Sequence, residues 1–268
     1  MATYLHTEGI CLRRIDYSNT SQVASFLTPD VGRLSVMAKG VTRAPKRGIR
    51  TGFDLLGRYE LVYTRRRSGS LQNLTYRWLR EDFRGIQGGL NRILCGYYAA
   101  ELVLSLCAED DPCPALYALL ARSLRTFAGG RRLGIAALLL ELGVLREQGV
   151  CPAFDACVGC GRRVPERGTV LFSPAAGGPL CRRCRQRGGA AEDPRARTAR
   201  ASQLRTLGDL ASCEDVEAAP RLTPGQTVAA GALLRFYMRD LLGKELRLWK
   251  YMQRRHLSRS LQRLRRRN

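Results

Sequence analysis

Along the first eighty residues apolar and polar positions alternate in short runs, the period of a pleated chain that turns one face inward. Residues 34–38 show it plainly: Leu34, Val36 and Ala38 share one face, Ser35 and Met37 the other. Runs of the same character at 9–15, 22–27, 55–63 and 71–78 bring the prediction to five strands. The second and third are separated by Thr28-Pro29-Asp30-Val31-Gly32, where proline presets φ and glycine accepts a positive φ, so a hairpin connection is expected. The fourth and fifth are joined across Arg65-Arg66-Arg67-Ser68-Gly69, a polar turn. Five short antiparallel strands fit a small closed barrel, which exposes no sheet edge. The five-stranded version that binds oligonucleotides is the OB-fold, although strand count alone does not separate it from an SH3-like barrel.

From Glu81 to about Gln148 the period lengthens to that of a helix. Leu90, Ile93, Leu94, Tyr97, Tyr98, Glu101, Leu102 and Leu104 recur at three and four, as do Leu116, Leu119, Leu120, Leu124 and Phe127 after Pro114. Residues 134–145 are apolar nearly all round, which predicts a buried central helix. A Cys- and Gly-rich insert spans 151–187, and 188–201 reads as loop. Helical pattern resumes near Ser202 and again over 227–251, where Leu233, Phe236, Tyr237, Leu241, Leu242, Leu246 and Trp249 make an apolar stripe. The tail, 254–268, holds seven arginines and reads as a frayed basic helix or a disordered arm. The expected class is α+β multidomain: a barrel over 1–80, a helical domain over 81–154 and 188–253, a metal module at 155–187 inserted in it, and the basic tail. No uncharged apolar run approaches the ~20 residues of a membrane span. The best, Ile135 to Leu140, meets Glu141 at once, and Met1 to Arg14 lacks the basic and apolar regions of a secretory signal. A cytoplasmic protein with no membrane partner is expected.

Charge sharpens this picture because it is segmental. The chain of 268 residues carries 45 Lys+Arg against 23 Asp+Glu, a net +22, and 41 of the 45 cations are arginine. Residues 1–80 hold 14 cations and 5 anions, 81–154 hold 7 and 8, 155–187 hold 7 and 2, and 188–268 hold 17 and 8. A uniform preference for arginine would also have charged the neutral second block. At least two surfaces are therefore expected to face a polyanion, nucleic acid first, with anionic lipid and plain solubility as alternatives.

Of the ten cysteines, Cys11, Cys95, Cys107, Cys113, Cys151 and Cys213 stand singly in apolar or loop contexts and read as small buried hydrophobes. The other four form Cys157-x2-Cys160 and Cys181-x2-Cys184, with 20 residues between the pairs. Each C-x2-C turn delivers two sulfurs to one side of an ion, so the set predicts a tetrahedral Zn²⁺ site, with decayed ligands, a redox C-x2-C or an iron–sulfur cluster as the alternatives. Four protein ligands leave no open position for water, which makes the role structural: holding together a hairpin too small to bury a core. Arg162, Arg163, Arg182, Arg183 and Arg185 lie beside these ligands. They can offset the charge of a tetrathiolate centre or extend a phosphate-binding surface, and the sequence leaves both open.

Other chemistry is sparse. His6 and His256 are the only histidines, and neither stands near a cysteine or carboxylate cluster. There is no G-x4-G-K-[ST] or G-x-G-x-x-G, nor an H-x-E with P-C-x-x-C, which argues against ATP-driven motors, dinucleotide enzymes and zinc deaminases. The acidic triplet Glu109-Asp110-Asp111 runs into Pro112 and reads as a loop or helix-end cluster rather than a Mg²⁺ site. No enzyme is expected.

The order barrel, helices, four-Cys insert, helices resembles the bacterial RecO family of recombination mediators. The residues that carry the likeness are Gly9-Ile10-Cys11-Leu12 with Asp16-Tyr17, Phe26-Leu27-Thr28 with Gly32, and Met37-Ala38-Lys39-Gly40-Val41-Thr42-Arg43 after the third strand. Tyr97-Tyr98-Ala99-Ala100-Glu101-Leu102 and Leu116-Tyr117-Ala118-Leu119-Leu120 resemble its helical signatures. Leu142-Gly143-Val144 leading to the cysteines, with Gly177-Gly178 before the second pair, resembles its zinc region. The chain departs from the family pattern at Ser18-Asn19-Thr20 and at Arg247-Leu248, where cationic character persists in Lys244, Arg247 and Lys250. The resemblance implies an OB-fold, a helical domain and a zinc module, with binding of single- and double-stranded DNA, annealing of complementary strands, and help for RecA in displacing single-strand-binding protein (SSB) alongside RecR and, in many bacteria, RecF. A sequence-indifferent binder needs cations along the phosphates and rings under the bases. The barrel offers Arg33, Lys39, Arg43, Lys46, Arg47, Arg50 and Arg58, the later helices Lys244 and Arg247, and Tyr59, Tyr63 and Trp78 are either platforms or core. A scaffold for acidic protein tails and an RNA-binding zinc-ribbon protein are the rival readings.

Overall fold

The computed structural model describes residues 3–41, 52–64, 71–186, 193–249 and 251. The chain divides into two compact units, Met1–Leu133 with Arg247–Asn268, and Gly134–Leu246.

In the first unit the strands are β1 (Tyr4–Ser18), β2 (Ser21–Thr28), β3 (Gly32–Ala38), β4 (Arg58–Thr64) and β5 (Leu71–Glu81). They close into a barrel in the order β1-β2-β3-β5-β4, with β4 antiparallel to β1. The expectation of purely antiparallel strands fails at one seam, where β3 and β5 run parallel from Ser35↔Leu71 to Met37↔Asn73. An odd number of strands cannot alternate direction all the way round a ring, so one parallel seam is a geometric necessity. The predicted hairpin across Thr28 to Gly32 is present. The Thr28 hydroxyl donates to the Gly32 carbonyl at 2.9 Å and Gly32 takes φ +72°.

Alternation places Phe26, Leu34, Val36, Tyr59, Leu61 and Tyr63 inside the barrel. Phe53, from the β3–β4 connection, joins them: its ring meets Phe26 and Tyr59 edge to face with centroids 5.1 and 5.3 Å apart, the favoured geometry for aromatic quadrupoles. Burial pushes the Tyr59 phenol up to about 12, and its oxygen accepts the Asp54 amide at 2.7 Å. Cys11 is fully buried here and burial lifts its thiol to about 12, as suits a small apolar residue. Of the other isolated cysteines, Cys95 and Cys107 are also buried, while Cys113, Cys151 and Cys213 are half-buried.

A 3₁₀ turn (Arg84–Gly88), α1 (Leu90–Leu106) and α2 (Pro114–Gly129) complete this unit. The acidic triplet lies between the two helices and clamps the β2–β3 turn. Glu109 pairs with Arg33 at 3.4 Å, and a Cβ on Gly32 would stand 2.2 Å from the Asp111 carbonyl oxygen. Glu101, on α1, accepts the amides of Arg247 and Leu248 at 2.7 and 3.0 Å.

The second unit holds α3 (Leu133–Glu147), β6 (Thr169–Ser173), β7 (Gly178–Leu180), α4 (Arg182–Gln186), β8 (Arg197–Arg200), α5 (Ala201–Ala211) and α6 (Pro224–Leu242). α3 is buried nearly all round, including Glu141, which pairs with Arg235 at 3.3 Å. Where a loop was expected at 188–201 there is strand β8, which makes a three-stranded sheet in the order β7-β6-β8. Four residues read as Arg-Thr-Ala-Arg give no alternation long enough to see; pairing with β6 from Thr169↔Arg200 to Phe172↔Arg197 fixes them. α6 starts before the predicted Thr227 because Thr223 and Gln226 form a reciprocal capping box ahead of Pro224. It ends before the predicted Tyr251 because Gly243 takes the left-handed φ of +63°. Among the described residues no helix is long and apolar enough to cross a membrane.

Gly32→Ala should destabilise the first unit by at least about 1–3 kcal/mol, since it adds left-handed strain to a backbone clash. Urea denaturation with the same variant at Gly40, whose φ is +69° but which has open space, should show a smaller loss.

Candidate metal centre and cationic surface

Cys157 and Cys160 sit on a tight turn. The amides of Cys160 and Gly161 both point to the Cys157 carbonyl, at 3.4 and 2.8 Å, and Gly161 takes φ +71° to fold the chain back. Cys181 follows β7 directly and Cys184 lies on α4, so the sheet presents the second pair to the first. This edge is held by Val158 donating to the Pro179 carbonyl at 3.0 Å and Ala153 to the Gly177 carbonyl at 2.9 Å. Gly159 leaves room for the cluster, since a Cβ there would lie 3.1 Å from the Cys184 sulfur.

The four Sγ atoms lie within 4.8 Å of one another. Sulfurs ~2.3 Å from a tetrahedral ion stand ~3.8 Å apart, and Cys160 and Cys181 are separated by 3.7 Å. The residues therefore fit a four-coordinate thiophilic cation. Backbone amides supply further support: Cys181 donates to the Cys157 sulfur at 3.3 Å and Cys184 to the Cys181 sulfur at 3.5 Å. Burial opposes ionisation of Cys157, but the amides of Cys181, Gly159 and Cys160 outweigh it and bring the thiol down to about 6. Cys184 moves the other way, to about 12, through its hydrogen bond with Cys160 first and burial second. One cation shared by all four sulfurs removes this conflict.

Around the cluster Arg162, Arg163, Arg182, Arg183 and Arg185 are exposed, and their side chains make no ion pair or hydrogen bond with other described residues.

The barrel cations divide. Arg33 is held by Glu109 and donates to the Leu104 carbonyl at 3.2 Å, and Arg58 lies between Glu8 and Glu81 at 3.8 and 3.6 Å. Both side chains face carboxylates of the chain itself and are still 29% and 27% exposed. Lys39 is exposed at the end of β3, and Lys244 and Arg247 are exposed after α6. Arg43, Lys46, Arg47 and Arg50 lie outside the described residues, as do the Arg65 to Gly69 turn, the 254–268 tail and His256. His6 is exposed on β1.

The aromatic candidates divide as well. Tyr59 and Tyr63 are core, 3% and 4% exposed, because they share the inward face of β4 with Leu61. Trp78 is 57% exposed on β5, and Tyr76, which sequence reading missed, is 51% exposed two residues before it. Their partners across the strand pair are Glu60 and Val62, the outward residues of β4. The spacing of two in Tyr76-Arg77-Trp78 is the signal that would have found the second ring.

This architecture is that of a closed-barrel protein with a helical unit that carries a four-thiol cluster able to hold a metal ion, and comparison with known proteins gives the family. Residues 1–80 match the model described as recombination protein O N terminal, and residues 87–250 the one described as recombination protein O C terminal. "DNA repair protein RecO" of Rhodopirellula baltica is 34% identical over 178 residues, 66% of this chain and 66% of that protein. The protein of the same name from Anaeromyxobacter sp. (strain K) is 36% identical over 179 residues, covering 66% and 68%. That from Desulforudis audaxviator is 33% identical over 212 residues, covering 76% and 78%. The matches thus span about two thirds to three quarters of the relatives' length. The chain belongs to the RecO family of DNA repair and recombination proteins, whose N-terminal domain is an OB-fold.

Metal capture must displace protons from the thiols that hold them, Cys184 foremost. Competition against a metallochromic chelator should show affinity falling as pH falls, more steeply below about 6, where Cys157 also takes a proton. Cys160→Ala should lower bound metal and loosen the β6–β7 hairpin by hydrogen exchange. Affinity independent of pH would contradict the four-thiolate site.

Proposed function

We propose that this protein binds single- and double-stranded DNA without sequence preference, anneals complementary single strands and assists the loading of RecA on SSB-coated DNA together with RecR. It works in the cytoplasm at the nucleoid and is not an enzyme. Membership of the family supports the repair role. The observation that carries the binding reading is the pair of exposed rings Tyr76 and Trp78 on the outer face of a barrel whose N-terminal 80 residues have nine more cations than anions.

Rings on a rigid sheet stack bases of any identity, while cations track the backbone. Lys39, with Arg43, Lys46, Arg47 and Arg50 of the same connection, supplies the phosphate contacts in this reading, and Lys244 and Arg247 add to them. Arg33 and Arg58 hold the barrel and its helices in place. Annealing needs no nucleotide cofactor: neutralising phosphates lowers the repulsion between two strands, and base pairing supplies the free energy. Zn²⁺ is the ion assigned to the four thiols, since soft thiolates in a tetrahedral set with no open position suit it. Its work is to hold the β6–β7 module.

The chain has two tryptophans, and Trp249 is buried while Trp78 is exposed. Titration with single-stranded DNA should quench the Trp78 emission, and Trp78→Ala should weaken binding by about 1–3 kcal/mol. Charge reversal at Lys39, Arg43, Lys46 and Arg47 should weaken it further without unfolding. Emission that ignores DNA, with affinity unchanged in both variants, would remove the barrel from this reading.

A further inference from the structure

Beside the four-thiol centre lies a cleft of about 490 Å³ whose walls carry Arg162, Arg163, Arg182 and Arg185 and no carboxylate. We propose that this cleft is a phosphate-binding surface, in which the four guanidinium groups hold the backbone of a nucleic-acid strand. The proposal rests on the nucleic-acid reading above and assigns to it a surface outside the barrel.

Many arginines elsewhere among the described residues are matched within the chain: Arg58 by Glu8 and Glu81, Arg80 by Glu60, Arg125 by Glu81, Arg195 by Asp193 and Asp240, Arg235 by Glu141. Arg13, Arg122, Arg131 and Arg221 are exposed without such a partner, and what sets the cleft apart is that four unmatched arginines line one recess free of carboxylates. The four around the cleft, with Arg183 on the same turn of α4, have no such partner among the described residues. The thiolate centre cannot account for them. Four thiolates holding a divalent ion carry a formal −2, against +4 from the arginines that line the cleft. Among the described residues no arginine donates to a sulfur; the donors there are backbone amides, those of Gly159, Cys160, Cys181 and Cys184. Counting the cleft's own lining alone, about half of its positive charge is left for an anion from outside.

The lining chooses among anions. An acidic peptide held in extended form would add to a sheet edge, but on the β7 side Val158 already donates to the Pro179 carbonyl. The remaining polar groups of the lining include the hydroxyls of Thr169 and Thr198, and the floor includes Val164, Leu171 and Leu180. Hydroxyls and planar guanidinium forks suit phosphate oxygens, and an aliphatic floor suits the sugar. No aromatic ring lines the cleft, so it offers bases no platform. It should therefore grip single and double strands through the backbone alone.

The test uses the full chain with Arg162→Gln, Arg163→Gln, Arg182→Gln and Arg185→Gln combined, with bound metal and circular dichroism confirming the fold. Anisotropy of labelled oligonucleotides across a salt series should show the dependence of log K on log salt becoming shallower by about 3 for single strands and about 3–4 for duplex, from ~0.7 and ~0.9 per lost phosphate contact. Affinity at low salt should drop at least about tenfold by the same count of contacts. If the variant loses metal, the pairs Arg162→Gln/Arg163→Gln and Arg182→Gln/Arg185→Gln should each give roughly half the change. Wild-type slopes in metal-replete variants would overturn the cleft and leave the barrel reading intact, whereas a wild-type protein that binds no DNA would overturn that reading itself. Loss of a labelled Asp/Glu-rich peptide from the variant, with DNA binding unchanged, would assign the cleft to a protein partner and also overturn the proposal.

Discussion

Forty-five cations and twenty-three anions cannot all find partners inside one folded chain, and where the surplus is left decides what the molecule can hold. A guanidinium between two carboxylates, as Arg58 is, has spent its field within the protein. One with no neighbouring carboxylate, such as Arg182, projects that field outward and attracts whatever polyanion carries the opposite sign. Net charge alone would not distinguish these cases; the pairing pattern does.

Keeping unmatched cations close together costs free energy through their mutual repulsion, so the scaffold beneath them must be stiff. The two units meet this need differently. In the barrel, closure through the parallel β3–β5 seam and the Phe26–Phe53–Tyr59 ring cluster fix the strands. The metal module has strands of only five, three and four residues, too little surface to bury a core of its own. There four thiols within 4.8 Å of one another could hold a metal ion that supplies the constraint.

Much of this was legible in the sequence, and the residues show why. The alternation of Leu34, Val36 and Ala38 announced a strand facing a core. The two C-x2-C pairs announced that four sulfurs would come together in a set that could hold a metal ion, because ligand spacing is local and survives without knowledge of the fold. Long-range pairing was less accessible. The short β8 is defined by β6, the end of α6 by a single glycine, and the parallel seam by ring closure. The same limit applies to Arg33, whose partner Glu109 lies 76 positions away in the chain. Tyr59 and Trp78 look alike in sequence, and only the face each strand turns inward tells core from surface.

The most direct test of the account is strand annealing by the purified full chain. Complementary oligonucleotides, labelled for energy transfer, are mixed at low ionic strength without nucleotide cofactor, and then with rising salt. Cations that screen phosphate repulsion require a large acceleration at low salt that fades steeply as salt rises. An annealing rate that the protein leaves unchanged at low ionic strength, or an acceleration indifferent to salt, would contradict it.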